Sequence, residues 1–274
     1  GPIDTRLRLI NLICDSGRQV VMPHFPCHPS MLRRDSKVIS RDYPGAVIDF
    51  MSARASHESV ATQWLTGPAG EINPQRVIDS KGKTTPIDVV TMGRTLGHAI
   101  GELLHTTTVT EESSRQLVTH ESKIQIPLDR EFVLDPDAEL EHYRKGRGVT
   151  GQRTLDELLR FYRTAETAVN QSNSEQIEIP LSIIGLGNIA FVGVGCEIFS
   201  RTATKIEAMF PGKHILILPT SNGYHSYIPP ASCFDKGSYP ARRAHFSFGR
   251  KPPVRNCEEL FIDQVGQALQ EVGL

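Results

Sequence analysis

The sequence predicts an α/β fold, in which a mixed sheet is flanked by helices within a single large domain. Short runs rich in Val, Ile and Leu alternate along the whole chain with stretches whose apolar residues recur at helical spacing. The length of 274 residues is ample to bury a large core. No internal repeat, low-complexity tract or clear linker divides the chain, so we expect residues 1–274 to form one domain.

The first third of the chain predicts a hairpin, a helix and a further strand. Two apolar runs, Arg6–Cys14 and Arg18–Phe25, flank an Asp-Ser-Gly turn and are expected to be strands. A helix is predicted over 44–55, because Pro44 suits a first helical turn and apolar residues follow at helical spacing. A strand ending at Leu65 then enters a loop rich in glycine and proline.

The middle of the chain is predicted to be mainly helical. Apolar spacing predicts helices over about 85–105, 137–145 and 154–171. The segment 85–171 could therefore be a helical insertion lying over the sheet.

The last third predicts another strand-helix-strand unit and a closing helix. Strongly β-like runs cover 176–186 and 188–194, and a helix is predicted from Glu197 to Phe210, where Pro-Gly follows. A strand over 214–218 completes the unit, and an amphipathic helix over 257–272 ends the fold.

Composition excludes several classes of protein. Thirty Lys and Arg against 31 Asp and Glu give a net charge of -1, so we expect no nucleic-acid partner. No apolar stretch approaches the roughly 18 to 20 residues that cross a bilayer, so the chain is expected to be soluble. Five widely spaced cysteines without a CxxC pair argue against a disulfide scaffold or a thiolate zinc site. The start of the chain has no secretory signal pattern, and the compartment stays open.

Four groups of residues that could carry chemistry lie where predicted strands end, which is where sites gather in α/β folds. His24 and His28 follow an apolar strand, and either imidazole could ligate a metal or be a satisfied structural residue. Loop 67–74 has small residues whose amides could hold a developing oxyanion, but it could also be an ordinary loop.

The other two groups supply a carboxylate and phenols. Glu197 ends a continuous apolar strand. Its carboxylate could bind a metal there, or it could simply be stabilised by the dipole of a helix that begins there. The segment 221–230 contains two tyrosines, and Tyr239 follows it. A phenol can ligate a metal or polarise a carbonyl, although aromatic residues in loops usually pack.

The residues alone support a hydrolase-like α/β protein with a His, Glu and Tyr metal site. No nucleotide-binding glycine motif and no GxSxG motif is present. One zinc ion with oxygen and nitrogen ligands and an open position would suit hydrolysis of an amide or ester.

In their order along the chain, these motifs resemble the catalytic domain of the neutral/alkaline, non-lysosomal ceramidase family, zinc-dependent amidases that split ceramide into sphingosine and fatty acid. The resembling segments are 24–29 (HFPCHP), 39–45 (ISRDYPG), 67–74 (GPAGEINP), 191–199 (FVGVGCEIF) and 222–229 (NGYHSYIP), followed by Tyr239. The resemblance implies that His28, Glu197 and Tyr227 ligate zinc, with Tyr227 preferred to Tyr224, and that Tyr239 faces the substrate.

The chain departs from the family pattern in ways that shape the expected mechanism. The family's earlier segment, which carries a further zinc histidine and a catalytic histidine, has no counterpart here, so the chain resembles the latter part of that domain. Asn73 stands where ceramidases have a serine, and Pro240 follows Tyr239 where an acidic residue is usual. An amide cannot be a covalent nucleophile, but it can donate a hydrogen bond to an oxyanion.

We therefore expect a zinc-dependent hydrolase of an N-acyl or lipid-like amide, in which water activated by the metal is the nucleophile. Tyr239, Asn73 and His24 are the candidate catalytic residues. A further histidine is expected from a preceding segment or a partner chain, with His24 and His225 as local substitutes. The alternative is a non-catalytic or partner-dependent subunit of a split enzyme, and an oligomer would fit either hypothesis.

Overall fold

A computed structural model of the chain describes residues 3–33, 36–54, 60–81, 83–106, 117–147 and 152–274. In chain order its elements are β1 (Arg8–Ile13), β2 (Gln19–Phe25), α1 (Asp42–Arg54), β3 (Val60–Thr62), β4 (Leu65–Thr66), α2 (Gln75–Asp79), α3 (Pro86–Thr106), β5 (Leu117–Pro127), α4 (Pro136–Arg147), α5 (Gln152–Asn170), β6 (Gln176–Leu186), β7 (Ile189–Val194), β8 (Glu197–Ile198), α6 (Ser200–Ala208), β9 (His214–Pro219), β10 (Tyr227–Ile228), α7 (Ala231–Asp235), a 3-10 helix (Tyr239–Ala241), α8 (Arg243–Phe246) and α9 (Cys257–Glu271).

The first sheet is built on the predicted hairpin and is covered by two helices. Strands β1 and β2 pair antiparallel, and β3 and β4 both add to β2 in parallel. Helices α1 and α3 pack on this sheet, with Val21, Val47 and Ile100 fully buried between them. The two helices approach closely because α3 has glycine at Gly93 and Gly97, where a Cβ atom would collide with α1.

The second sheet holds the largest core and has the order β5-β6-β7-β9. The pairs β5-β6 and β6-β7 are antiparallel, and β7-β9 is parallel. Alternate residues of β6 are buried, as expected for a strand with one face on a core. Their apolar side chains belong to one cluster with residues of α6 and α9, including Ile206 and Phe261.

Two smaller units complete the described fold. Strands β8 and β10 form a two-stranded parallel ladder outside both larger sheets. Helices α4 and α5 enclose a separate apolar cluster that includes Tyr162 and Phe246. Within the described ranges, none of the helices combines the length and apolar character needed to cross a membrane.

The predicted mixed α/β class is confirmed, with the strands divided among three sheets instead of one. The segment 85–171 also contains a strand, β5, which the sequence interpretation missed, so it is not helical throughout; whether it is an insertion stays a prediction. The helix predicted from Glu197 begins at Ser200 instead. Glu197 lies in β8, because its backbone N–H donates to the Ser226 carbonyl (2.8 Å) in the ladder with β10.

Candidate metal centre

The two-stranded ladder brings Glu197 and Tyr227 together, although 30 residues separate them. They are direct register partners in the parallel pairing of β8 with β10. Ser226, immediately before Tyr227, is fully buried and has a φ of 67° in the left-handed region, which turns the chain into the ladder. Burial and the Glu197 charge together raise the pKa of the Tyr227 phenol, so this side chain is neutral at physiological pH.

His28 reaches the same carboxylate from the other half of the chain. It lies in the loop after β2, and its backbone N–H donates to the carbonyl of Ile72 (3.0 Å). Its Nε2 atom is 3.3 Å from Oε2 of Glu197. Both side chains are mostly buried, with 27% of His28 and 14% of Glu197 exposed, so the pair is shielded but can be reached from solvent.

The two carboxylate oxygens of Glu197 have different surroundings. Oε1 accepts a hydrogen bond from the Tyr224 hydroxyl (2.9 Å). Oε2 is buried, accepts no hydrogen bond from the residues that the structure describes, and faces Nε2 of His28 at 3.3 Å. Buried polar atoms are nearly always satisfied, so an unpartnered carboxylate oxygen beside an imidazole nitrogen fits a bound cation.

The candidate metal ligands among the described residues include a single imidazole, that of His28. Across the described ranges, no three His, Cys, Asp or Glu side chains come together in a group that could hold a metal ion. His28 and Glu197 supply one nitrogen and one carboxylate, and a third ligand has to be a phenol or come from elsewhere. These donors suit zinc, which takes nitrogen and oxygen ligands in a four-coordinate shell.

Two further tyrosines, Tyr224 and Tyr239, lie close to Glu197 and Tyr227. The Tyr224 hydroxyl donates to the Glu197 carboxylate, and Tyr227, whose phenol also faces that carboxylate, is the register partner of Glu197. The Tyr239 ring packs edge-on against Tyr227, with centroids 5.8 Å apart, and 43% of Tyr239 is exposed. Burial raises the pKa of Tyr239, so it is a neutral hydrogen-bond donor that borders both the site and solvent.

His24 makes its contacts outside the group formed by His28, Glu197 and the tyrosines. Its Nε2 atom donates to the carbonyl of Ile217 on β9 (3.0 Å), and Nδ1 faces the Arg8 guanidinium at 3.4 Å. Only 1% of the residue is exposed, and burial lowers its pKa to about 4. Both ring nitrogens are occupied, so His24 joins the two larger sheets and we leave it out of the proposed site.

Asn73 and His225, two further candidates, make contacts outside the His28–Glu197 pair. Asn73 is exposed, and its Oδ1 atom accepts a hydrogen bond from the Ser30 hydroxyl (3.1 Å) in the loop that carries His28. His225 lines a separate cleft with Phe248 and Arg250. Burial and the Arg250 charge lower its pKa.

Glu71 anchors the loop that contacts His28 to the start of α6, a contact that the sequence interpretation missed. Its carboxylate accepts hydrogen bonds from the backbone N–H and the hydroxyl of Ser200 at the start of α6. The neighbouring Gly70 N–H donates to the carbonyl of Ile198 (3.0 Å). Loop 67–74 is thus fixed to the segment that follows Glu197, and through Ile72 it also holds His28. No local signal could have shown this, since 129 residues separate Glu71 from Ser200.

Comparison with known proteins finds similarity at the level of the fold. No family model matches the chain, and no curated protein matches it. Among solved structures it is similar to a neutral ceramidase from Pseudomonas aeruginosa (TM-score 0.64, 16% identity, 98% of this chain and 47% of that one). It is also similar to a ceramidase complexed with C2 (TM-score 0.66, 12% identity, 98% and 48%). The chain thus spans about half the length of these structures, and the likeness concerns the fold alone.

Proposed function

We propose that this chain is a ceramidase-like, zinc-dependent hydrolase of an amide bond in a small N-acyl or lipid-like substrate. The observation that carries the proposal is the buried, unpartnered Oε2 atom of Glu197, which faces His28 Nε2 at 3.3 Å. The similarity of the fold to ceramidases supports the same class of reaction.

His28, Glu197 and Tyr227 would hold the metal. A bound zinc ion would polarise the scissile carbonyl and lower the pKa of a water molecule. The Tyr224 hydroxyl holds Oε1 of Glu197 and so fixes the rotamer that presents Oε2. His28 is kept in place by its backbone hydrogen bond to Ile72.

Two further side chains would stabilise negative charge that develops on the carbonyl oxygen. Tyr239 is neutral, partly exposed and packed on Tyr227, so its hydroxyl can donate to an oxyanion beside the metal. Asn73 lies in the loop that holds His28, and its amide is the second candidate donor. In this proposal a water molecule attacks the carbonyl, the C–N bond breaks, and a carboxylic acid and an amine are released; the Asn73 amide cannot act as a covalent nucleophile.

The substitution Glu197→Gln tests the proposal, because it keeps the size of the side chain and removes its charge. We expect zinc affinity to fall by at least about tenfold, because mutating even a residue that only hydrogen-bonds a metal ligand lowers metal affinity 10- to 100-fold. Zinc content after dialysis and calorimetric titration with zinc are the measurements, and amide hydrolysis should fall in parallel.

Glu178→Gln is the matched control, because Glu178 is an exposed carboxylate paired with Lys123 on the surface of the second sheet. Near-ultraviolet circular dichroism of both variants verifies the fold. Retention of stoichiometric zinc by Glu197→Gln would exclude Glu197 as a ligand.

A partner-dependent subunit is the second candidate function, and the shortage of imidazole at the site favours it. In this case a further histidine comes from another segment or chain. Native mass spectrometry of the purified protein should then show a second polypeptide or zinc below one equivalent. Hydrolysis of a short N-acyl amide should rise when a histidine-bearing segment is restored, and equal activity without it would refute the split site.

A further inference from the structure

A cavity of about 200 Å³ lies beside the candidate metal centre and shares Tyr239 with it. It is formed mainly by α4, the 3-10 helix and α8. The charged residues in its lining are Glu139, Lys236, Arg242 and Arg243.

The cationic charge of this cavity exceeds its anionic charge. Glu139 is 4% exposed and is already paired with Arg242, whose Nε donates to it at 3.0 Å. In the part of the chain that the structure describes, no carboxylate lies within ion-pair distance of Arg243 or Lys236. These two side chains leave the cavity with an uncompensated positive charge.

Arg243 is held rigidly for recognition of an anion. Its guanidinium carbon lies 5.0 Å from the ring centroid of Tyr239 and 5.2 Å from that of Tyr143. Packing against two aromatic rings and a hydrogen bond with the Tyr162 side chain orient the planar guanidinium, and its five N–H groups leave others able to donate. An oriented guanidinium suits the bidentate hydrogen bonds that carboxylates and phosphates accept.

We propose that this cavity binds an anionic group of the substrate through Arg243 and Lys236. The substrate is then an N-acyl amide with a carboxylate or phosphate a few atoms from the scissile bond, and this assignment rests on the proposed function. Water occupies about 30 Å³ per molecule, so the volume suits a group of roughly seven heavy atoms.

A matched series of substrates tests the proposal by kinetics. The series is N-hexanoylglycine, its uncharged amide N-hexanoylglycinamide, and N-hexanoylaminomethylphosphonate. We expect kcat/KM of the wild-type protein to be at least about tenfold higher for the better of the two anions than for the uncharged compound, which is about 1.4 kcal/mol. The better anion identifies the group as carboxylate-like or phosphate-like.

Two variants connect the preference to the cavity. In Arg243→Gln and Lys236→Gln the ratio of anionic to uncharged kcat/KM should fall towards one. Lys236 is exposed, so Lys236→Gln remains informative if Arg243→Gln does not fold. Lys213→Gln, in the turn before β9 and outside the cavity lining, is the control and should keep the wild-type ratio.

Calorimetric binding of the same three compounds separates this inference from the proposed function. Binding of an anion that Arg243→Gln abolishes, without hydrolysis of any compound, would uphold the anion site and refute the amidase. Hydrolysis of all three compounds with a ratio that neither variant changes would refute the anion site and uphold the amidase. Absence of binding of both anions also overturns the proposal.

Discussion

Two histidines four positions apart at the end of β2 show how strongly local surroundings decide the chemistry of a residue. His24 is inside the strand, where its ring bridges to Ile217 on the neighbouring sheet and is sealed from water. His28 is in the loop beyond, where its Nε2 atom meets a carboxylate in a partly open site. The sequence presents both simply as imidazoles after an apolar run. The tertiary contacts with Ile217 and with Glu197 distinguish the structural residue from the candidate ligand.

The buried state of His24 predicts a dependence of stability on pH. Burial lowers its pKa to about 4, whereas an unfolded histidine titrates near 6.5. Between these values the unfolded chain binds the extra proton, so the free energy of unfolding decreases as the pH falls. We expect His24 to account for a loss of about 2 kcal/mol between pH 7 and pH 5.

Urea unfolding of His24→Gln at both pH values measures this contribution. The glutamine amide can still donate to the Ile217 carbonyl, and it does not titrate. The pH-dependent loss should be smaller in His24→Gln than in the wild type. His214→Gln, at an exposed position at the start of β9, should leave the loss unchanged. An identical pH dependence in His24→Gln and the wild type would show that His24 is not buried in its neutral form.

At the scale of elements, loop 67–74 joins the two halves of the candidate site. Glu71 holds the start of α6 and Ile72 holds the backbone of His28. Glu71→Ala removes both hydrogen bonds to Ser200, so we expect the free energy of unfolding to fall by about 2 kcal/mol. Zinc affinity should also fall, because the loop that holds His28 loses its attachment. Denaturant unfolding and zinc titration measure the two effects.

The exposed ion pair on the second sheet provides the comparison for Glu71. Glu178→Ala disrupts the exposed pair with Lys123, which should change stability by less than about 1 kcal/mol and leave zinc binding intact. If Glu71→Ala lowered stability without changing zinc affinity, the loop would cap α6 but would not position His28.

The elements that the sequence could predict are those with a strong local pattern. The β1-β2 hairpin and the strands β6 and β7 follow from apolar runs and turn residues, and they were predicted close to their observed bounds. Strand β5 was missed because most of its residues are exposed, and its two buried residues are Ile124 and Ile126 near its end.

The candidate site depends on contacts that no local pattern encodes. The ladder of β8 with β10 has two residues on each strand, which is too short for any periodicity. The motifs singled out Glu197. Its proximity to Tyr227 and to His28 follows from tertiary contacts between residues that are 30 and 169 positions apart, respectively. The preference for Tyr227 over Tyr224 as a ligand stays a prediction, and the hydrogen bond from the Tyr224 hydroxyl to Glu197 depends on the path of the turn before β10, which no local pattern encodes.

At the scale of the whole molecule, the candidate site lies where separately packed units meet. His28 follows the first sheet, Glu197 follows β7 of the second sheet, and Tyr239 borders the unit of α4 and α5. The apolar cluster of α4 and α5 shares no residue with the cluster of the second sheet. Units packed in this way can open with different free energies, which makes their coupling measurable.

Phe246 is the residue through which α8 packs into the α4-α5 unit. It is 2% exposed, stacks on Phe132 at 5.6 Å and meets Tyr162 edge-on at 6.3 Å. Phe246→Ala leaves a cavity that costs about 3 to 5 kcal/mol. We expect hydrogen exchange to speed up in α4 and α5 while β6 and β7 stay protected, because their core is separate. Preference for an anionic substrate should weaken, since Arg243 shares α8 with Phe246.

Phe210→Ala is the matched comparison, because Phe210 lies in the cluster of the second sheet. Its truncation should speed exchange in the strands of that sheet and leave α4 and α5 near their wild-type rates. If both variants speed exchange equally throughout the chain, the two clusters unfold as one cooperative unit. The unit around the cavity beside Tyr239 then could not unfold without the second sheet. Phe246→Ala would in that case disrupt the whole site and abolish turnover of uncharged and anionic amides alike.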